Sequence, residues 1–185
     1  MSKRIETLAE VQATCWRTLQ QCARDRLHEW RVMTLATANG AQADARLVVI
    51  RDVMPDAQEL VFYTDSRSPK VEQMRLRPQG VLVAWSRQLS WQLRMPVELT
   101  VQTSGLEVSS RWALMKMSPS AQDYLSPLPP GATLGTGDPP RPERATREHF
   151  AVVTARVLSM DWMELHAEGH RRALFDDTGG RWVQP

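Results

Sequence analysis

The feature that most constrains this chain is a change of hydrophobic period at residue 31. Before it, Ile5, Leu8, Val11, Cys15, Leu19 and Cys22 recur at three- and four-residue steps with Arg17, Gln20, Arg24 and Glu29 between them, so residues from Ile5 to about Trp30 read as an amphipathic helix. After it, Arg31 to Ala38 is rich in β-branched residues and ends at Asn39-Gly40, a favoured pair for a tight hairpin turn. Ala43 to Val53 is the return strand, Pro55-Asp56 a turn, and Glu59 to Thr64 a third strand. A short helix from Ser68 to Arg77 stops at Pro78, and strands follow at Gly80 to Ser86 and Trp91 to Thr103.

The second half continues in the same manner. Ser109 to Tyr124 is expected as a helix capped at Ser109-Ser110 and interrupted at Ser118-Pro119, where proline removes a donor and constrains its predecessor. Residues 126–147 form a long proline-rich loop. Phe150 to Leu165 and His170 to Asp176 are closing strands, and Thr178-Gly179-Gly180 turns into a last one at Arg181 to Val183. Hairpin-linked strands with neither βαβ alternation nor a Gly-x-Gly-x-x-Gly fingerprint disfavour a doubly wound nucleotide fold. The expectation is one mainly β (α+β) domain over residues 1–185: a small barrel of about six antiparallel strands that closes its own edges, with flanking short helices and an N-terminal helix.

Composition narrows the function classes. Lys and Arg number 23 against 21 Asp and Glu, a formal charge of +2, which gives little footing for nucleic-acid binding. No apolar run is long enough to cross a bilayer, so no membrane partner is expected and a cytoplasmic protein is. Cys15 and Cys22, the two cysteines, lie about 10 Å apart along one helix and cannot pair with each other. Thiols of this kind suit a reducing compartment.

Chemistry concentrates in Phe62 to Lys70, where a strand ends, a polar turn follows, and a helix begins with Ser68 at the cap and Pro69 in the first turn. A helix start offers backbone N–H groups and partial positive charge to a phosphate. Arg67 and Lys70 add full charges, and Arg46 could supply a guanidinium to the same anion. An ordinary capped helix with solvated cations would use the same residues.

The order of motifs settles which reading is preferred. Arg46-Leu-Val-Val-Ile-Arg51, Phe62 to Lys70, Arg77-Pro78, Gln92-Leu93, and Trp162 followed ten residues later by Arg172 together resemble the pyridoxamine 5′-phosphate oxidase family and its FMN-binding branch, the split β-barrel flavoproteins. The resemblance implies that Arg46, Ser68 and Lys70 hold the phosphate of FMN, with Arg67 standing in for an arginine that Pro69 replaces. It implies further that Leu47, Val48, Val49, Ile50, Arg51, Tyr63 and Thr64 line the flavin and that Gln92 hydrogen-bonds its ring. In the family the flavin sits at a homodimer interface, so Trp162 and Arg172 would come from the second subunit. Ser118 and Glu168 stand where the oxidases carry arginines for the pyridoxal phosphate group, which implies a flavoprotein poorly suited to that substrate. Arg51 and His170 are the side chains expected to meet an unknown small-molecule substrate.

Two functional readings follow: an FMN-dependent oxidoreductase, or a flavin-binding or sensing protein without catalysis. Haem or deazaflavin on the same barrel is a third. His166-Ala-Glu-Gly-His170 has metal-ligand spacing for a helix, but Gly169 disfavours a helix there, so a turn is expected and no metal site. Trp85, Trp91 and Trp112 are expected in the core or the dimer interface, and Asp44 and Asp52 in solvent.

Overall fold

A computed structural model describes residues 4–135 and 149–185. The first helix, α1 (Leu8–Arg24), starts where Thr7 accepts a hydrogen bond from the Glu10 backbone N–H at 3.2 Å and donates its hydroxyl to the Glu10 carboxylate at 3.0 Å, a reciprocal cap. It ends six residues earlier than its periodicity suggests. Asp25 accepts from Leu27 N–H at 2.9 Å, a local turn that competes with the helix, and Glu29–Arg31 forms a separate 3-10 turn. Arg31 then reaches back to donate to the Cys22 and Ala23 carbonyls, closing the free C-terminal end.

Nine strands follow among the described residues. The strands β1 (Val32–Asn39) and β2 (Gln42–Met54) form the first hairpin, with Asn39 opposite Gln42, so the two-residue turn is Gly40-Ala41, one residue later than expected. Gly40 takes a φ of 62°, the conformation that favours glycine at the first turn position. Next come β3 (Glu59–Asp65), α2 (Pro69–Leu76), β4 (Gln79–Ser86) and β5 (Trp91–Gln102). The helix α3 (Leu106–Met115) and a 3-10 turn at Pro119–Tyr124 precede β6 (Phe150–Val157), β7 (Met160–Glu164), β8 (Arg171–Asp176) and β9 (Gly179–Val183). The expected cap at Ser109-Ser110 is corrected: α3 begins after Gly105, and the Ser109 hydroxyl donates back to the Gly105 carbonyl at 2.8 Å from within the helix. Of the proline-rich loop, residues 136–147 lie outside the described residues.

Six strands in the order β4-β1-β2-β3-β6-β5 close into a barrel through the β4–β5 pairing. β5 serves two neighbours: residues 97–102 pair with β6 and residues 91–94 with β7, from which β8 and β9 extend the sheet. The strand expected over residues 150–165 is therefore two strands. Pro96, which has no N–H, sits at the changeover on β5, and its carbonyl accepts from Leu158 N–H at 2.9 Å where the chain steps between partners.

The barrel is filled from both sides of its wall. Leu35, Ile50, Phe62, Leu82, Leu93, Met95 and Trp162 point inward, α1 packs Val11, Cys15, Leu19 and Cys22 onto the same core, and α2 adds Val71 and Met74. Burial pushes both thiols up to about 12, so they are inert packing groups at neutral pH. On the opposite face of β3 and β6, Val61, Phe150 and Val152 meet Val108 and Trp112 of α3 together with Tyr124. Both faces of β3 are thus covered, which explains its unbroken apolar run.

Candidate flavin site

The basic residues converge beside the start of α2. Arg46, on β2 opposite Leu35, donates to Thr37 Oγ1 at 2.5 Å and to Gln73 Oε1 at 2.8 Å, and pairs with Asp44 at 2.6 Å. Gln73 completes a closed network by donating to Asp44 at 2.8 Å. The Gln73 amide first, and then the Arg46 charge, hold the Asp44 carboxyl below its ordinary range. Asp44, expected in solvent, keeps 43% of its side chain exposed and is also the counter-ion of Arg46.

Lys70 is the more telling group. Its ammonium donates to Ser68 Oγ at 2.7 Å and Thr64 Oγ1 at 3.2 Å, and it makes no ion pair among the described residues. Burial, and then the nearby Arg46 charge, pull its pKa below the usual lysine range. Ser68 is the N-cap residue of α2, yet its hydroxyl makes no cap bond and serves Lys70 instead. Two cations with Asp44 between them and Asp65 already paired to Arg67, hydroxyls as the hydrogen-bond partners of a half-buried ammonium among the described residues, and a helix start alongside suit a phosphate ester: an anion here would relieve repulsion and desolvation together.

Arg67 is engaged differently from Arg46 and Lys70. It pairs with Asp65 at 2.7 Å and donates to the carbonyls of Ser126, Pro127 and Leu128 at 2.8, 3.1 and 3.2 Å, pinning the loop after the 3-10 turn. The arginine expected to replace the missing phosphate arginine is thus held by Asp65 and the loop carbonyls.

Strand β2 presents two kinds of residue. Val48 and Ile50 are buried in the barrel, so only their backbone is open to a ligand, while Leu47 is 69% exposed and Val49 and Arg51 share its outer face. Arg51 lies over the Tyr63 ring at 5.9 Å, and its Nε is buried without a hydrogen-bond partner among the described residues. Tyr63 is also held edge-on by Phe150 at 4.9 Å. Burial pushes the Tyr124 phenol up against the pull of Arg51 beside it. Arg111 of α3 loses hydration there, but Tyr63, Glu107 and Asp52 more than compensate and keep it firmly charged. Asp52, also expected in solvent, pairs with Arg111 at 3.1 Å.

The remaining expected residues fall on β5, β7 and β8. Gln92 lies on the outer face, with Trp85 opposite it on β4 and Met163 on β7, and Arg172 continues the same row on β8. Trp162 has the other parity. It is fully buried, packed edge-on against Trp91 at 5.2 Å, and paired with Ala173. Trp162 and Arg172 therefore occupy opposite faces of the sheet, and the expectation that Trp162 touches a flavin is corrected to a core role. Trp91 and Trp112 are buried as expected, whereas Trp85 is 46% exposed on the outer face. His170 sits in an exposed turn, accepting from His166 N–H at 3.1 Å. Asp161, which no sequence motif singled out, grips Arg172 with both carboxylate oxygens at 2.8 and 2.7 Å.

A closed six-stranded antiparallel barrel with a phosphate-suited basic cluster at its α2 edge defines an FMN-binding split barrel. Residues 13–103 match the family described as pyridoxamine 5′-phosphate oxidase, FMN-binding domain, and the chain belongs to this pyridoxamine 5′-phosphate oxidase-related family, whose cofactor is FMN. Relatives include the pyridoxine/pyridoxamine 5′-phosphate oxidases of Caulobacter vibrioides, 26% identical over 89% of this chain and 78% of that protein, and of Maricaulis maris, 29% identical over 89% and 79%. Among solved structures, a pyridoxamine 5′-phosphate oxidase-related, FMN-binding protein of Nostoc punctiforme superposes with a TM-score of 0.72 at 22% identity, covering 99% of this chain and all of that one. PhzG of Burkholderia lata, solved with tetrahydrophenazine-1-carboxylic acid, superposes at 0.69 with 16% identity over 97% and 94%. At these identities the two structures bear on the fold alone.

Proposed function

We propose that the protein is an FMN-dependent oxidoreductase acting as a homodimer, with each flavin held between protomers. The observation that carries the reading is Lys70: a half-buried ammonium hydrogen-bonded, among the described residues, to hydroxyls alone beside a second cation. In this reading Arg46, Lys70, Ser68 and Thr64 hold the phosphate, the outer residues and backbone of Leu47 to Arg51 with Tyr63 line the ring, and Gln92 and Arg172 complete the site from the partner protomer. FMN supplies hydride or electron transfer when bound, and the protein supplies position and charge.

Strand spacing supports two protomers. From β2 to β8 the sheet order runs through β1, β4, β5 and β7, five steps of about 4.8 Å, or roughly 24 Å along the wall. A single flavin touching the outer faces of both strands of one protomer would have to follow the curved wall around that arc. The outer face between them also carries Val32 and Leu47, 43% and 69% exposed, together with Trp85. Covering such a face favours a second copy.

Ser118 and Glu168 occupy the places of the pyridoxal phosphate arginines. Exchanging a guanidinium for the carboxylate of Glu168 turns attraction for a phosphate into repulsion, and Ser118 removes a second positive charge. In this reading the protein is a poor oxidase of pyridoxine 5′-phosphate and its own substrate is another small molecule.

Purified protein should be yellow and release FMN, and the double variant Arg46→Ala/Lys70→Ala should fold but be colourless. Stopped-flow mixing with NAD(P)H and then oxygen should bleach and restore the flavin. Slow bleaching with every donor would favour a flavin-binding protein without catalysis, and turnover of pyridoxine 5′-phosphate at a micromolar KM would overturn the substrate argument.

A further inference from the structure

The outer face of β7 and β8 holds a charge pair that the motifs leave unexplained. Arg172 has five N–H donors in a fixed fork. Two are engaged by Asp161, Nε to Oδ1 at 2.8 Å and Nη2 to Oδ2 at 2.7 Å, so the guanidinium is held in one plane by a bidentate contact. The three remaining donors point away from that carboxylate. Asp161 and Arg172 lie on neighbouring strands, Asp161 opposite Leu174 and Arg172 opposite Met163, so the pair bridges the strands diagonally. Arg94 on β5 approaches the same carboxylate at 3.3 Å. Two guanidiniums and one carboxylate leave a net positive charge on this face, two residues along β5 from Gln92.

An arginine on a short strand near the sheet's edge has many rotamers, and a useful contact across a protomer boundary needs most of them removed beforehand. Asp161 supplies that restriction. The side chain of Asp161 is 14% exposed and that of Arg172 is 31% exposed, so the pair is shielded enough to be specific yet keeps Arg172 open on its far edge. We infer that Asp161 is the positioning residue that presets Arg172 for contact with the flavin bound by the partner protomer. This rests on the reading that Arg172 completes the partner's site.

A double-mutant cycle on the full-length holoprotein tests it, with FMN affinity read from fluorescence quenching and dimerisation from size-exclusion chromatography. Arg172→Ala should weaken FMN binding about tenfold, and Asp161→Asn should weaken it by a similar factor while the protein stays folded and dimeric. The Arg172→Ala/Asp161→Asn double variant should bind FMN no worse than Arg172→Ala alone, because Asp161 acts only through Arg172. Asp161→Glu, which keeps a carboxylate within reach, should recover most of the loss. Equal additive losses, or wild-type affinity in Asp161→Asn beside a weakened Arg172→Ala, would overturn the positioning role. Wild-type affinity in Arg172→Ala would instead overturn the shared-site reading, and this inference with it.

Discussion

At the scale of single residues, the protonation of Lys70 links the site to pH. Burial and Arg46 lower its pKa in the folded protein, whereas the unfolded chain keeps an ordinary lysine value near 10.5. Between the two, the unfolded state binds more protons than the folded state, so the FMN-free protein gains stability from this group as pH rises through that window. Flavin binding has the opposite dependence, since the charged ammonium is the form that attracts a phosphate dianion. FMN affinity should fall with rising pH at a point below the usual lysine range, and Lys70→Arg should move that fall to higher pH; titrating the FMN dissociation constant against pH in both proteins checks it, and a flat profile in the wild type would count against the contact. Trp162 makes a separate prediction. As a fully buried ring against Trp91, its replacement by Ala should cost about 3–5 kcal/mol of stability, measured by urea denaturation.

At the scale of elements, barrel closure depends on how closely β4 approaches its neighbours. Gly80 pairs with Thr37 on β1 and Val97 on β5, and a Cβ there would stand 2.9 Å from Leu99 Cδ1 and 3.1 Å from the Ala36 carbonyl oxygen. The leucine tip can move, but the backbone oxygen cannot move cheaply. Gly80→Val should therefore destabilise the protein by about 1–3 kcal/mol without changing its helices, as thermal unfolding followed by circular dichroism would show. The elements differ in how openly the sequence declares them. Alternation along Val32 to Ala38 and along β5 announces strands because one face is buried and the other is open, and Phe62 to Lys70 announces a strand, turn and helix through its own local chemistry. The end of α1 was not legible, because its apolar spacing continues past Arg24 while the Asp25 turn stops the helix. Nor was the break between β6 and β7, which follows from β5 changing partners at Pro96, a fact about pairing rather than local sequence. The same blindness to side-chain direction accounts for Arg67 and Trp162: sequence order set both beside the expected site, but Asp65 turns the first toward the loop and strand parity turns the second into the core.

At the scale of the whole molecule, the separation of β2 from β8 makes the proposed site divisible. If each flavin takes its phosphate contacts from Arg46 and Lys70 of one protomer and a guanidinium from Arg172 of the other, one variant can lack the first set and a second variant the last, and neither homodimer has an intact site. Mixed after unfolding and refolding in equal amounts, Arg46→Ala/Lys70→Ala and Arg172→Ala chains should form heterodimers in about half of all dimers, each with one complete site and one doubly impaired site. Strong flavin binding should then reappear at about a quarter of the wild-type number of sites, counted by titration with FMN at a concentration too low to fill the weakened ones. The count separates the arrangements sharply, because a site built within one protomer would give no recovery on mixing whatever the oligomeric state. It also tests the outer face bearing Val32, Leu47 and Trp85, since exchange requires the protomers to meet there. Adding Val32→Asp to both chains should abolish the recovery by placing carboxylates in an apolar contact, while each chain keeps its barrel, because Val32 is 43% exposed, takes no part in the core and is not among the residues that line the flavin.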